Sequence, residues 1–310
     1  DGSLTSSIAT VNPVDVNTEG TYTVTYNVSD SAGNAATQVT RTVTITPDVT
    51  VPVITLTGNA SVNVLLGNTY TDAGATATDN IDGTITGDIS TANPVDVNTE
   101  GTYTVTYDVS DAAGNAATQV TRTVTVTSSP IMTISSSAVS SGGSTNTDPI
   151  GVVFSSSKTT TDFSLSDVSV SGGSLSNLSG SDKTYTATFT ASGDGAKTIN
   201  IAAGGFTNSS GNGNVASEQF SYTYDSTFPT LDTSKLLLNI SEGTTGLGRI
   251  YADESVTWSV TGDGVSVNSA GSLTLSSPAD FSVKTSHSFT VKGTDAVGNS
   301  SSVPVTVEVD

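Results

Sequence analysis

Along residues 101–127 apolar and polar side chains alternate: Tyr103, Val105, Tyr107 and Val109 fall on every second position, with Thr104, Thr106 and Asp108 between them. That period is a strand with one buried and one solvated face. Asp111-Ala-Ala-Gly114-Asn115 breaks the pattern with residues that turns need, and Val120, Val124 and Val126 then resume it. The stretch predicts a β-hairpin. It recurs almost unchanged at residues 20–46, and a shortened form closes the chain at residues 289–309. Residues 1–46 align with 82–127 at a constant offset of 81 and differ at nine of 46 positions, the mark of a tandem array. The first copy lacks a counterpart of residues 51–81, expected to supply a module's first strands. Those strands are expected upstream in a longer protein or from a neighbouring molecule, since a truncated sandwich leaves strand edges open.

The complete second module predicts strands at 53–56, 61–65, 69–71, 85–89, 103–109 and 118–127, separated by Gly, Asn and Asp turns. The third predicts strands at 151–155, 184–190, 197–202 and 219–224. Divisions follow at 1–47, 48–128, 129–226 and 227–310: the C-terminal part of one module, then three whole ones. Val is counted 36 times against 14 Leu, and about a third of residues are Ser or Thr. Such a composition favours strands over helices. The expected fold is all-β: tandem small β-sandwiches arranged as an elongated rod. Arg41 and Arg122 break the pattern, because alternation places both on a buried face. A β-bulge or a paired carboxylate would resolve this.

Nine basic residues stand against 29 acidic, a net charge of −20. A polyanion of this kind repels phosphate backbones and anionic lipid, which argues against nucleic-acid and membrane-surface roles. Cysteine is absent, which excludes disulfides and thiolate chemistry and suits a microbial surface protein. No stretch has the length and apolarity of a membrane span, and no export signal is present. With the opening in mid-repeat, this reads as a fragment of something longer.

Residues 52–89 (PVITLTGNASVNVLLGNTYTDAGATATDNIDGTITGDI), followed by GTYTVTYDVSDAAGN, resemble the immunoglobulin-like, hyalin-related repeats of large bacterial and archaeal surface proteins. The third module, with FSLSDVSVSGGSLSNLSGSDKTYTATFT, is similar to a second bacterial Ig-like family of giant adhesins. The fourth, with SFTVKGTDAVGN, resembles cadherin-like repeats, although it has no Asp-Arg-Glu motif and no Asp-rich terminal linker. These resemblances imply extended stalks on the cell surface, and place Tyr103 where Ig-like folds carry a tyrosine corner.

Calcium is the sharpest chemical expectation. Candidate ligands are Asp30, Asp111 and Asp295 in the D-x-x-G-N turns, Asp79 and Asp82 in a loop, and Glu242 with Asp253 in the last module. Several carboxylates converging at a module junction suit a 6–8-coordinate ion; the bland alternative is that each Asp merely caps its own turn. Catalytic motifs are absent, and the single histidine, His287, is expected as a solvated strand residue. The single tryptophan, Trp258, is expected in the core, and an exposed position would favour sugar binding. The expected function is a non-enzymatic stalk segment of a secreted or surface-anchored microbial adhesin, with calcium adding stiffness. The alternative is a self-assembling block of a surface layer, filament or viral fibre. Expected partners are neighbouring repeats, other copies of the chain or cell-surface glycans.

Overall fold

The computed structural model describes residues 1–310 and contains strands, turns and short 3-10 segments, with no α-helix. Contacts divide the chain into two compact units, Asp1–Thr127 and Ser128–Asp310.

In the first unit the hairpin forms as its pattern dictates. Gly101–Asp108 pairs antiparallel with Val120–Thr127, and Val120–Thr127 pairs on its other side, in parallel, with Ser61–Leu65. Ser90–Ala92 completes this four-stranded sheet. A second sheet of Val53–Leu56, Ala75–Asp79 and Gly83–Thr84 contributes Ile54 and Ala77 to the core shared with Val105, Tyr107, Val124 and Val126. Two expected strands fail to form. Residues 85–89 turn into the 3-10 segment Thr86–Asp88, because the Thr86 hydroxyl engages the backbone of Ala77 instead of a ladder. Residues 69–71 stay irregular, with the Tyr70 hydroxyl held by Asp72 at 2.8 Å.

The buried-arginine conflict is resolved by pairing. Arg122 is 1% exposed and forms an ion pair with Asp72, while its guanidinium also donates to the Tyr107 hydroxyl at 2.9 Å and to the carbonyls of Asn59, Thr57 and Gly74. Every guanidinium nitrogen therefore has an acceptor, which is the condition for burying a charge. Burial works to raise the pKa of Asp72, but the Tyr107 and Tyr70 hydroxyls and Arg122 outweigh it and hold the carboxyl below its usual range. Tyr103 donates its hydroxyl to the carbonyl of Thr99 at 2.8 Å, four residues upstream, as a tyrosine corner does.

The first repeat contributes one three-stranded sheet, Ala9–Val11, Gly20–Asn27 and Val39–Ile45, in that order.

In the second unit, two sandwiches have separate cores. Phe154, Phe163, Phe189, Phe206 and Ile199 fill one; Leu247, Ile250, Val291 and Val307 fill the other. In all three complete modules the last strand pairs in parallel with an early one. The pairs are Val120–Thr127 with Ser61–Leu65, Phe220–Tyr224 with Ser144–Thr145, and Ser300–Val309 with Asn239–Ile240. Trp258 is half-buried and packs against the last core. His287 departs from its expected solvated position. It is half-buried, and both ring nitrogens are enclosed without a hydrogen-bond partner, in a cavity of about 320 Å³ also lined by Val283, Lys284 and Pro278.

Candidate metal centres at the module turns

Each D-x-x-G-N turn is built by the same bonds. Asp111 accepts from the Asn115 backbone N–H at 2.7 Å through one oxygen and from the Asn115 amide at 2.8 Å through the other. Gly114 takes the left-handed conformation (φ 92°) that lets the chain close this ring. The Asn115 amide then donates a second time, at 3.1 Å, to the carbonyl of Asp48, five residues before the module's first strand. Asn299 repeats the arrangement: it donates to Asp295 at 2.9 Å and to the carbonyl of Asp225 at 3.0 Å. The turn thus fastens the segment that leads into its own module.

That fastening brings carboxylates together. Asp48, Asp79, Asp82 and Asp111 each place an oxygen within 4.8 Å of the others, and so do Asp225, Glu254 and Asp295. In the first group Asp111 is buried, Asp48 and Asp79 are half-buried, and Asp82 is exposed. Asp82 accepts from the Ala112 N–H at 2.8 Å, and Asp79 from Ile81 at 2.7 Å and Asp82 at 3.0 Å. These backbone donors, Asp82 foremost, hold the Asp79 carboxyl below its usual range and keep it ionised. The second oxygens of Asp48 and Asp79 are buried and have no hydrogen-bond partner. A buried anionic oxygen without a donor is costly, and a bound cation would offset that cost.

In the second group, burial and then the charges of Asp295, Asp225 and Asp253 push the Glu254 pKa up. Asp295 goes the other way. Burial opposes ionisation, but the Asn299 side chain and three backbone N–H groups outweigh it.

Of the seven expected ligands, the structure gathers Asp79, Asp82 and Asp111 in one group and places Asp295 in another. Glu242 and Asp253 do not join Asp295; Asp253 instead accepts from the Thr230 N–H at 2.8 Å. Asp30 forms only its own turn, bonding to Asn34 at 2.7 and 2.8 Å. Sequence reasoning missed Asp48, Asp225 and Glu254. A usable signal existed, because Asp48 and Asp225 both precede a module whose closing turn reads D-x-x-G-N.

The third module supplies the contrast. Its turn reads Asn208-Ser-Ser-Gly-Asn212, and its leading residue is Ser128. Here the amide of Asn208 itself donates to the Ser128 carbonyl at 3.0 Å, while its oxygen accepts from Ser210 and Asn212, each at 3.0 Å. An amide does the carboxylate's work, and no acidic group of three forms at this turn.

Residues 1–45 and 54–126 match the Ig-like domain of bacterial surface proteins, and residues 126–224 match a bacterial Ig-like domain. Residues 1–224 are therefore similar, in two parts, to Ig-like domains of bacterial proteins. No curated protein matches the chain. Among solved structures, invasin, a bacterial integrin-binding protein, is similar at 17% identity and a TM-score of 0.41, over 94% of this chain and 65% of that one. The extracellular cadherin domains 1–5 of protocadherin gamma B2 are similar at 13% identity and 0.34, over 94% of this chain. The repeats span 66% of that protocadherin chain. No helix is long and apolar enough to cross a membrane.

Proposed function

We propose that these repeats are a non-catalytic stalk segment of a bacterial surface adhesin, built to carry tension outside the cell and stiffened by calcium at two turns. The observation that carries the mechanical reading is the parallel pairing of an early strand with the last strand in every complete module. Tension that enters through the leading segment and leaves through the last strand pulls two parallel neighbours in opposite directions. Their hydrogen bonds then share the load in shear and do not open one after another.

The donor chemistry fits calcium. Both groups offer carboxylate oxygens only, the hard donors this ion takes. At a bond length of about 2.4 Å any two ligands on one ion lie within about 4.8 Å of each other, and the oxygens of each group lie inside that limit. Asp48, Asp79, Asp82 and Asp111 would hold one ion, and Asp225, Glu254 and Asp295 a second, at the millimolar affinity of extracellular modules. By cancelling charge between the leading segment and the turn, the ion adds to the Asn115 and Asn299 fastenings.

Force spectroscopy on the whole chain, held at its two ends, tests this reading. A stalk unfolds module by module, at higher force in millimolar calcium than in chelator. Modules that open at the same low force in both conditions would refute tension bearing and ion stiffening together.

A further inference from the structure

The last module leaves a pocket of about 250 Å³ at the side of its core. Arg249 and Tyr251, on either side of the buried Ile250, form one wall; Glu254 and Trp258 of the edge strand Thr257–Thr261 form another. Trp258 is half-buried because its six-membered ring lies against Gly293, its register partner, where a Cβ would come within 3.3 Å of Cζ3. The opposite edge of the indole lies beside Gly271, in the turn whose Ser269 and Ala270 close the pocket, and its N–H has no acceptor in the fold. Tyr251 is 41% exposed, and the Arg249 guanidinium stacks on its ring, 4.7 Å from the centroid. No carboxylate pairs with Arg249, although the chain has 29 acidic residues. The ring thus steadies a planar cation whose N–H edge stays free, an arrangement suited to an acceptor with two oxygens.

We propose that this pocket binds a saccharide that carries a carboxylate, a uronic acid residue. The carboxylate takes two parallel N–H bonds from Arg249. The apolar C–H face of the sugar ring lies against the aromatic walls, and its hydroxyls take the Trp258 N–H and the Ser269 hydroxyl. The volume falls below the range of roughly 300–1,000 Å³ that holds drug-sized ligands, which suits one sugar ring. Charge sets a condition. At a net charge of −20 the chain repels an anion, and Glu254 adds a negative charge at the pocket wall. Glu254 also belongs to the second acidic group, so a calcium ion there would cancel that charge. With three carboxylates among six to eight ligands, the ion would also leave positions open to the sugar. This condition rests on the calcium reading above; the pocket itself does not.

The chain has one tryptophan, so its indole N–H gives a single NMR resonance that reports on the pocket. Methyl β-glucuronide and methyl β-glucoside, which differ only in a carboxylate replacing a hydroxymethyl group, are titrated separately into the isotope-labelled whole chain, in millimolar calcium and in chelator. The expected result is a saturable shift with the glucuronide in calcium. Binding should be weaker by about tenfold or more for the glucoside, and for the glucuronide in Arg249→Met, as loss of a charged hydrogen bond should make it. Glu254→Gln removes the charge at the wall, so this variant should bind the glucuronide in chelator as well. Binding by Glu254→Gln in chelator, with none by the wild-type chain in calcium, would overturn the calcium condition and keep the pocket. The pocket assignment fails if both glycosides bind equally, if Arg249→Met binds like the wild type, or if the indole resonance moves in neither chain.

Discussion

The Asn115 side chain donates to the carbonyl of Asp48 across 67 residues of sequence, at 3.1 Å, and in doing so ties the closing turn of a module to the segment that leads into it. Asn299 and Asp225 stand in the same relation, 74 residues apart and at 3.0 Å. Each pair also brings an Asp of the leading segment to an Asp of the turn, so the neutral bond and the candidate ion site form one device. Loss of the amide should therefore be felt twice. Asn115→Ala should destabilise the first unit by about 1–3 kcal/mol, the cost of leaving buried partners unsatisfied, and should also weaken calcium binding. Chemical unfolding and titration calorimetry on the same variant measure the two effects.

Removal of ligand charge separates ion binding from turn structure. Asp79→Asn keeps an acceptor for the Ile81 and Asp82 N–H groups but takes a charge from the first group. Calcium should raise the melting temperature of the wild-type chain by several degrees at concentrations well above its Kd, since a ligand stabilises the state that binds it. In Asp79→Asn the first unit should lose most of that rise and the second unit should keep its own. An equal calcium response in variant and wild type would remove Asp79 from the ion site.

Acid should act on the second site first. Glu254 has its pKa raised in the folded chain, so its proton returns at a higher pH than that of an ordinary glutamate, near 4.3. Calcium binding at Asp225, Glu254 and Asp295 should weaken as pH falls toward that range. Asp79 is held low by its backbone donors, so the first site should resist longer. A terbium luminescence titration between pH 4 and pH 7, with Glu254→Gln as control, resolves the two.

The Arg122–Asp72 pair predicts acid sensitivity of a different origin. The Asp72 pKa is lowered on folding, so the pair's contribution is present above the unfolded aspartate value, near 3.9, and is lost as pH falls through the folded one. Arg122→Met leaves Asp72 without its cation and should cost about 3–5 kcal/mol. Arg41→Met, at the exposed counterpart, should change stability by less than about 0.5 kcal/mol. Denaturation of the two variants side by side checks the contrast.

The parallel pairs differ in length, and force should report it. Ser61–Leu65 shares a five-residue register with Val120–Thr127, whereas the corresponding pairs in the third and fourth modules share two residues each. The second module should be the last to open under tension. Pro substituted for Asn63, whose position lies inside that register, should lower its unfolding force most.

Local pattern was enough for the strands of the repeated hairpin and for Val53–Leu56 and Ser61–Leu65, where alternation and turn residues agree. It failed at residues 85–89, where the Thr86 hydroxyl competes for backbone that the apolar pattern assigned to a ladder. The candidate sites were half legible. Asp79, Asp82 and Asp111 stand in loops that look like ligand loops, but Asp48 and Asp225 sit in linkers where an Asp also looks like a simple cap. Each is fastened to its acidic group by a bond from an asparagine more than sixty residues away. Asp72 was hidden for the same reason, since its partner Arg122 lies 50 positions on. His287 misled because alternation says nothing of the loop that covers it.

The third module keeps the turn and discards the charge. With Asn208 where its neighbours have Asp, and Ser128 where they have Asp48 and Asp225, the fastening remains but has no anions to neutralise. An array that mixes both kinds of joint would not soften uniformly when calcium becomes scarce. It would yield first at the acidic turns and hold at the amide one, where Asn208 and Ser128 replace two carboxylates.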